Sequence, residues 1–215
     1  MATTRISAVF SAADASSPLS IAPAHTAVLL MDYQNMIVSR LGDSGPQVLN
    51  TANRIRDWAL QKGMSVFHCL IDTQPGARPP EHMRLATRWK MYEEHLANKP
   101  SLGHEAPALA PKGDSERERT FTRTPGFVSV LESNGLEEVL REKGIKSLIL
   151  GGISTSGCVL STVRAASDRG YIATVIEDAC FDPTPSLHDS LAAHIFPATA
   201  HVATANEVMS AWESQ

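Results

Sequence analysis

The sequence predicts a single three-layer α/β/α domain built on a largely parallel sheet of about six strands. Two patterns carry the prediction: short apolar runs alternate with segments of helical period, and the intervening segments are long enough for right-handed crossovers. A third observation is that no linker or internal repeat divides the 215 residues, a length suited to one large α/β domain with a substantial core.

The first strand is read at 26–31, from the run Thr26-Ala27-Val28-Leu29-Leu30-Met31, followed by a helix at 45–62 and a second strand at 64–71. Gln74 to Pro111 holds six prolines and few apolar pairs, so it is expected to be an irregular insertion overhanging the crevice, functional or part of an interface. A further strand is placed near 118–123. The helix over 127–144 sets Val130, Leu131, Leu136, Val139 and Leu140 on one core face and stops at Gly144. A strand at 146–151, a helix at 155–169, a strand at 171–177, a helix at 184–196, a strand at 199–203 and a helix at 204–213 complete the order. Residues 1–24 read as an N-terminal extension and residues 25–215 as the domain.

Composition narrows the function classes. A 43% hydrophobic content and mean hydropathy of -0.11 fit a globular protein, and no 18-residue apolar run suggests a membrane span. A net charge of -4 and a pI near 6.0 give no electrostatic reason to expect nucleic acid as partner. The first 24 residues lack the apolar core of a secretory signal, and three cysteines are too sparse for a disulfide framework. A reducing, cytoplasmic location is expected; export by an unconventional route would leave no readable trace, and a Cys69–Cys180 pair stays open.

The chemistry concentrates at two places. Gly152-Ile153-Ser154-Thr155-Ser156-Gly157-Cys158 follows the apolar run Leu148-Ile149-Leu150 and opens a helical pattern, which places Cys158 in a first helical turn. Unpaired N–H groups and the helix dipole there favour a thiolate, so Cys158 is a candidate nucleophile with a lowered pKa; the alternative is a small residue packing helix on sheet. Asp32 ends the first apolar strand. Ligand crevices of open α/β sheets lie beyond the carboxyl ends of the strands, so Asp32 and Cys158 can meet there as base and thiol, unless Asp32 is only a turn carboxylate. The backbone N–H groups of Ser154 and Cys158 are the natural oxyanion donors of that turn.

The strand-Asp-x-Gln pattern at Ala27 to Gln34, the run Gly152 to Val159, and Gly170-Tyr171 leading to Ile176-Glu177-Asp178-Ala179 resemble the isochorismatase-like, or cysteine hydrolase, superfamily over roughly residues 25–210. The resemblance implies a Rossmann-like fold, a cis Ile153–Ser154 peptide, homo-oligomers, and hydrolysis of a small molecule through Cys158 and Asp32 without a cofactor. It fails at one position. The family's third catalytic residue is a lysine two places before an Arg-x-(Ser/Pro)-(Ala/Gly)-Phe element, here Arg123-Thr124-Pro125-Gly126-Phe127, and that place holds Phe121. Arg119 and Arg123 share the strand face of Phe121 by the period-two rule, so either is a candidate charge partner for Asp32, though neither carries protons as lysine does. As an alternative, both form a solvated edge.

The family's nicotinamidase metal pattern, Asp-x-His, is broken at Asp72-Thr73-Gln74, and the spacing of His82, His95 and His104 fits no compact zinc site, so no metal is expected. His68, within a buried strand, reads as a satisfied core histidine, Asp178 as a turn residue, and Glu116 to Arg119 as solvated. Pocket candidates are Gln34, Phe121, Trp89, Tyr92 and Phe181, for most of which core packing competes. Leu96, Trp89 and Met91 of the insertion are apolar residues that a monomer would expose. Three functions are in play: thiol-dependent hydrolysis of a small amide, imide, ester or carbamoyl group; isochorismatase proper, with Asp32 as the acid that protonates the vinyl ether; and a non-catalytic binding protein on the same fold.

Overall fold

The computed structural model describes residues 10–113 and 115–214. Six strands, β1 (Thr26–Met31), β2 (Ser65–Ile71), β3 (Glu118–Arg123), β4 (Ser147–Ile153), β5 (Ile172–Phe181) and β6 (His201–Ala203), pair in the order β3-β2-β1-β4-β5-β6 with every pairing parallel. Such a sheet is covered on both faces, which is why β1 and β4 are buried along their whole length and apolar after their first residues, Thr26 and Ser147. The strand order reverses between β1 and β4, so the crevice opens at the carboxyl ends of those two strands.

Alternation along each strand divides the core. Ala27, Leu29, Met31, Phe67, Leu148 and Leu150 face one way, onto α4 (Leu136–Glu142) and α5 (Leu160–Asp168). Val28, Leu30, Val66 and Ile149 face the other way, onto α2 (Gly45–Gln61) and α7 (Ala205–Glu213). Gly152 is required between β1 and β4, since a Cβ there would lie 2.7 Å from Met31 Cβ and 2.9 Å from Met31 O. The register between β4 and β5 shifts after Leu150, and the Tyr33 hydroxyl donates to Ala179 O on the displaced stretch of β5.

The structure corrects three expected elements. The helix over 127–144 is a 3-10 turn at Val130–Glu132 and the separate α4, because Ser129 caps the first piece and Gly135, at φ 76, turns the chain before the second. The 184–196 segment is α6 (Pro185–Ser190), then a π turn at Leu191–Ile195 and a 3-10 turn at Phe196–Ala198. The insertion is not irregular throughout: Arg84–Asn98 is a helix, α3, whose Trp89 and Leu96 are buried. Those two residues are therefore not exposed apolar surface, whereas Met91 is 60% exposed.

Part of the N-terminal extension packs on the domain. The Phe10 ring lies against His201 and Trp212, and Ser17 is buried; residues 1–9 lie outside the described residues. No helix among the described residues is long and apolar enough to cross a membrane.

Candidate active site

Two neighbouring strands deliver the reactive groups. β1 runs into Asp32, which takes φ 61, a left-handed conformation that aspartate and asparagine tolerate better than most residues. β4 runs into Ser154 across a cis Ile153–Ser154 peptide, and then into a π turn at Thr155–Val159 before α5 begins. Gly157 has non-helical backbone inside that turn, and a Cβ on it would lie 2.8 Å from Ser154 Oγ. Asp182, at the end of β5, fixes the turn by accepting from Ser156 N at 2.8 Å and Thr184 N at 3.1 Å. Burial works against the Asp182 charge, but the hydrogen bonds from Ser156 and Thr184 and the charge of His188 together hold the carboxyl below the usual aspartate range.

Arg123 is the charge partner of Asp32. Its Nη1 and Nη2 donate to Asp32 Oδ1 and Oδ2 at 2.8 and 2.6 Å, and its Nε donates to Phe127 O at 2.8 Å. Both side chains are nearly excluded from water, at 2% and 5% exposure. Burial disfavours the guanidinium charge, yet the hydrogen bonds and charge of Asp32 raise the Arg123 pKa further. The bidentate fork fixes the carboxylate plane and leaves each oxygen a second lone pair with which to accept a proton.

Arg119 is elsewhere. It is exposed at the opposite end of β3, its guanidinium over the Phe121 ring at 5.0 Å. Its neighbour Glu118, in the run expected to be solvated, is buried and accepts from Arg56. The ring nitrogens of His68 lie 2.8 and 3.1 Å from Glu105 Oε1 and Glu118 Oε1, so His68 is a satisfied core residue.

Cys158 is buried, and its Sγ lies 3.7 Å from Ser154 O. Burial, then the charge and hydrogen bond of Asp32, push the thiol well above its ordinary value, and Arg123 opposes them only in part. This corrects the lowered pKa expected from a helix N-terminus: the sulfur is buried with a carboxylate beside it, and the turn that carries it is π rather than α. Cys69 and Cys180 are free and buried, which leaves no disulfide between them, and burial also pushes Cys180 up, to about 12.

Asp32, Arg123, Ser154 and Cys158 line a cavity of about 340 Å³. Of the five pocket candidates, only Phe181 is in its wall. Gln34 is instead a backbone clamp, with Nε2 donating to Ile71 O and Gly103 O and Oε1 accepting from Ile71 N. Phe121 packs edge-on against Phe67, Trp89 donates to Ala77 O, and the Tyr92 ring lies tilted against Trp89. The walls that sequence reading missed include Ile37, Arg40, Leu85, Phe127 and Val128. Ile37 and Arg40 belong to the segment directly after β1 and Asp32, so the carboxyl-end rule was the available signal for them.

Among the described residues, no group of three or more His, Cys, Asp or Glu side chains is placed to hold a metal ion. His82, His95 and His104 are exposed.

A family model described as the isochorismatase domain matches residues 26–207. The chain is 38% identical over 197 residues to the uncharacterised isochorismatase family protein YecD of Escherichia coli O157:H7, covering 86% of this chain and 95% of that protein. It is 26% identical over 185 residues to the ureidoacrylate amidohydrolase RutB of Caulobacter vibrioides strain CB 15, covering 78% of this chain and 82% of that one. Among solved structures, a cysteine hydrolase from Pseudomonas syringae pv. phaseolicola 1448A shares the fold, with a TM-score of 0.76 at 20% identity over 90% of this chain and 95% of that one.

Proposed function

The chain belongs to the isochorismatase family, and from that premise we propose that it cleaves a small amide, imide, ester or carbamoyl compound through a Cys158 thioester. The observation that carries this reading is the placement of the Cys158 thiol in one cavity with a carboxylate whose geometry Arg123 fixes. A thiol beside a base is the arrangement of an activated nucleophile.

The steps follow from the groups present. Asp32 accepts the Cys158 proton as the sulfur bonds to the substrate carbonyl carbon, and the carbonyl oxygen takes up the negative charge against the N–H groups of Ser154 and Cys158. Collapse of the adduct breaks the bond to the leaving group, which departs with the proton held by Asp32. Water then attacks the thioester, returns a proton to Asp32, and the sulfur recovers it on release of the acid. Arg123 stays charged throughout and supplies orientation rather than a proton. Amide chemistry is also consistent with the relative described as a ureidoacrylate amidohydrolase.

The test is an acid quench during turnover of a panel of small amides, followed by mass spectrometry of the peptide bearing Cys158. That peptide is expected to gain the mass of the acyl group. Amide hydrolysis with no adduct, or with the adduct on Cys69 or Cys180, contradicts the reading.

Homo-oligomerisation belongs to the same reading. Phe127 and Val128, 41% and 47% exposed at the cavity wall, are apolar surface that a second subunit would cover. Light scattering is expected to give a multiple of the chain mass of 23.2 kDa, and a monomer mass contradicts the expectation.

A further inference from the structure

The charge inventory of the cavity is short. Asp32, Arg123 and Arg40 are the charged residues in its wall, and the first two are paired with each other through both carboxylate oxygens. Arg40 is left over. Among the described residues no carboxylate pairs with it, and its guanidinium rests over the Tyr92 ring with 5.6 Å between Cζ and the ring centroid. Packing against a ring restrains the side chain while leaving its N–H edge available, because an aromatic face attracts the cation without consuming its donors.

The remaining wall is mostly apolar, with Ile37, Leu41, Leu85 and Phe127 among its residues. Arg40 is exposed, and with Asp32 and Arg123 paired it is the one uncompensated charge among the residues lining the cavity. A planar fork of N–H donors matches a carboxylate, and a volume near 340 Å³ is at the small end of ligand sites.

We propose that Arg40 is a specificity residue: it selects a small substrate that carries an anionic group, a carboxylate, at the end opposite the carbonyl attacked by Cys158. The proposal rests on the reading of Cys158 as the nucleophile in this cavity. Tyr92 acts as a positioning residue that holds the guanidinium at the wall. Neutral substrates of the same size lose the Arg40 contact and are turned over less efficiently.

Two alkylating reagents of nearly equal size, iodoacetate and iodoacetamide, test the potential at the sulfur itself. Their relative rates at the Cys158 peptide are measured by mass spectrometry and divided by the same ratio for N-acetylcysteine. The normalised ratio is expected to favour iodoacetate in the wild type, to fall about tenfold in Arg40→Gln, and to stay near wild type in Arg40→Lys. In the wild type it should also fall as salt is added, since exposed charges are screened over about 8–10 Å at moderate ionic strength. A ratio unchanged by Arg40→Gln and by salt overturns the proposal. Labelling of neither reagent at Cys158 removes the nucleophile instead, and the anion site is then judged with glutarate. A rise in wild-type melting temperature with glutarate that Arg40→Gln abolishes upholds the site, whereas no rise, or an equal rise in both, overturns it.

Discussion

Asp32→Asn is expected to lower kcat/KM by about 10²–10⁴-fold, the range that a positioned general base supplies. The substitution keeps the left-handed backbone, since asparagine tolerates positive φ. It does not keep the ion pair. Both carboxylate oxygens accept from Arg123, so an amide nitrogen in place of one of them sets donor against donor and leaves a buried cation without its counterion. A loss of about 3–5 kcal/mol in stability should accompany the loss of turnover, measured by urea unfolding. Undiminished turnover would make the carboxylate purely structural.

Arg123→Met should be equally severe for stability, for the complementary reason: it strands the Asp32 carboxylate, on a side chain 5% exposed, without its counterion. The loss is again expected at about 3–5 kcal/mol, with turnover reduced because the carboxylate loses its orientation as well as its charge partner. The double variant Asp32→Asn with Arg123→Met separates the two effects. Removing both charges should restore most of the stability, since replacing a whole buried pair by neutral groups is often close to neutral, and it should restore none of the activity. Urea midpoints and initial rates on one amide substrate decide the point. Recovery of activity along with stability would show that Asp32 serves only to neutralise Arg123.

The sheet was readable because parallel strands buried on both faces leave continuous apolar runs. Thr26–Met31 is such a run, whereas Glu118–Arg123, at the sheet edge with Phe121 as its one apolar residue, is a strand that no apolar run marks. β5 continues to Phe181 because the register shift opposite Gly152 keeps the chain extended past the apolar run that a pattern detects. α3 went unrecognised although Leu85, Trp89 and Leu96 form a stripe of helical spacing; its flanking prolines lie outside Arg84–Asn98 and dominated the composition.

At the site, the period-two rule placed Arg119 and Arg123 on one face, and only three-dimensional register separates them. Arg123 pairs with Ile71 at the carboxyl end of the sheet, beside Asp32, whereas Arg119 pairs with Phe67 well below it. The direction of the thiol pKa was not legible at all. It depends on burial and on a carboxylate more than a hundred residues away in the chain, and neither is a local property of the Gly-Ile-Ser-Thr-Ser-Gly-Cys motif. Arg40 was equally hidden, because nothing in its local sequence reveals that the other charges of the cavity cancel.

Thiol-dependent hydrolysis is tested most directly by comparing kcat/KM of the wild type and Cys158→Ala on a small amide substrate and on isochorismate. Cleavage through a thioester requires the sulfur, so amide turnover should fall about 10⁴-fold or more in the variant, as expected when a nucleophile acting within a catalytic unit is removed. Vinyl ether cleavage needs only proton delivery by Asp32 and does not depend on residue 158. Wild-type enzyme that leaves amides intact, together with isochorismate cleavage that Cys158→Ala retains in full, would contradict the thioester mechanism.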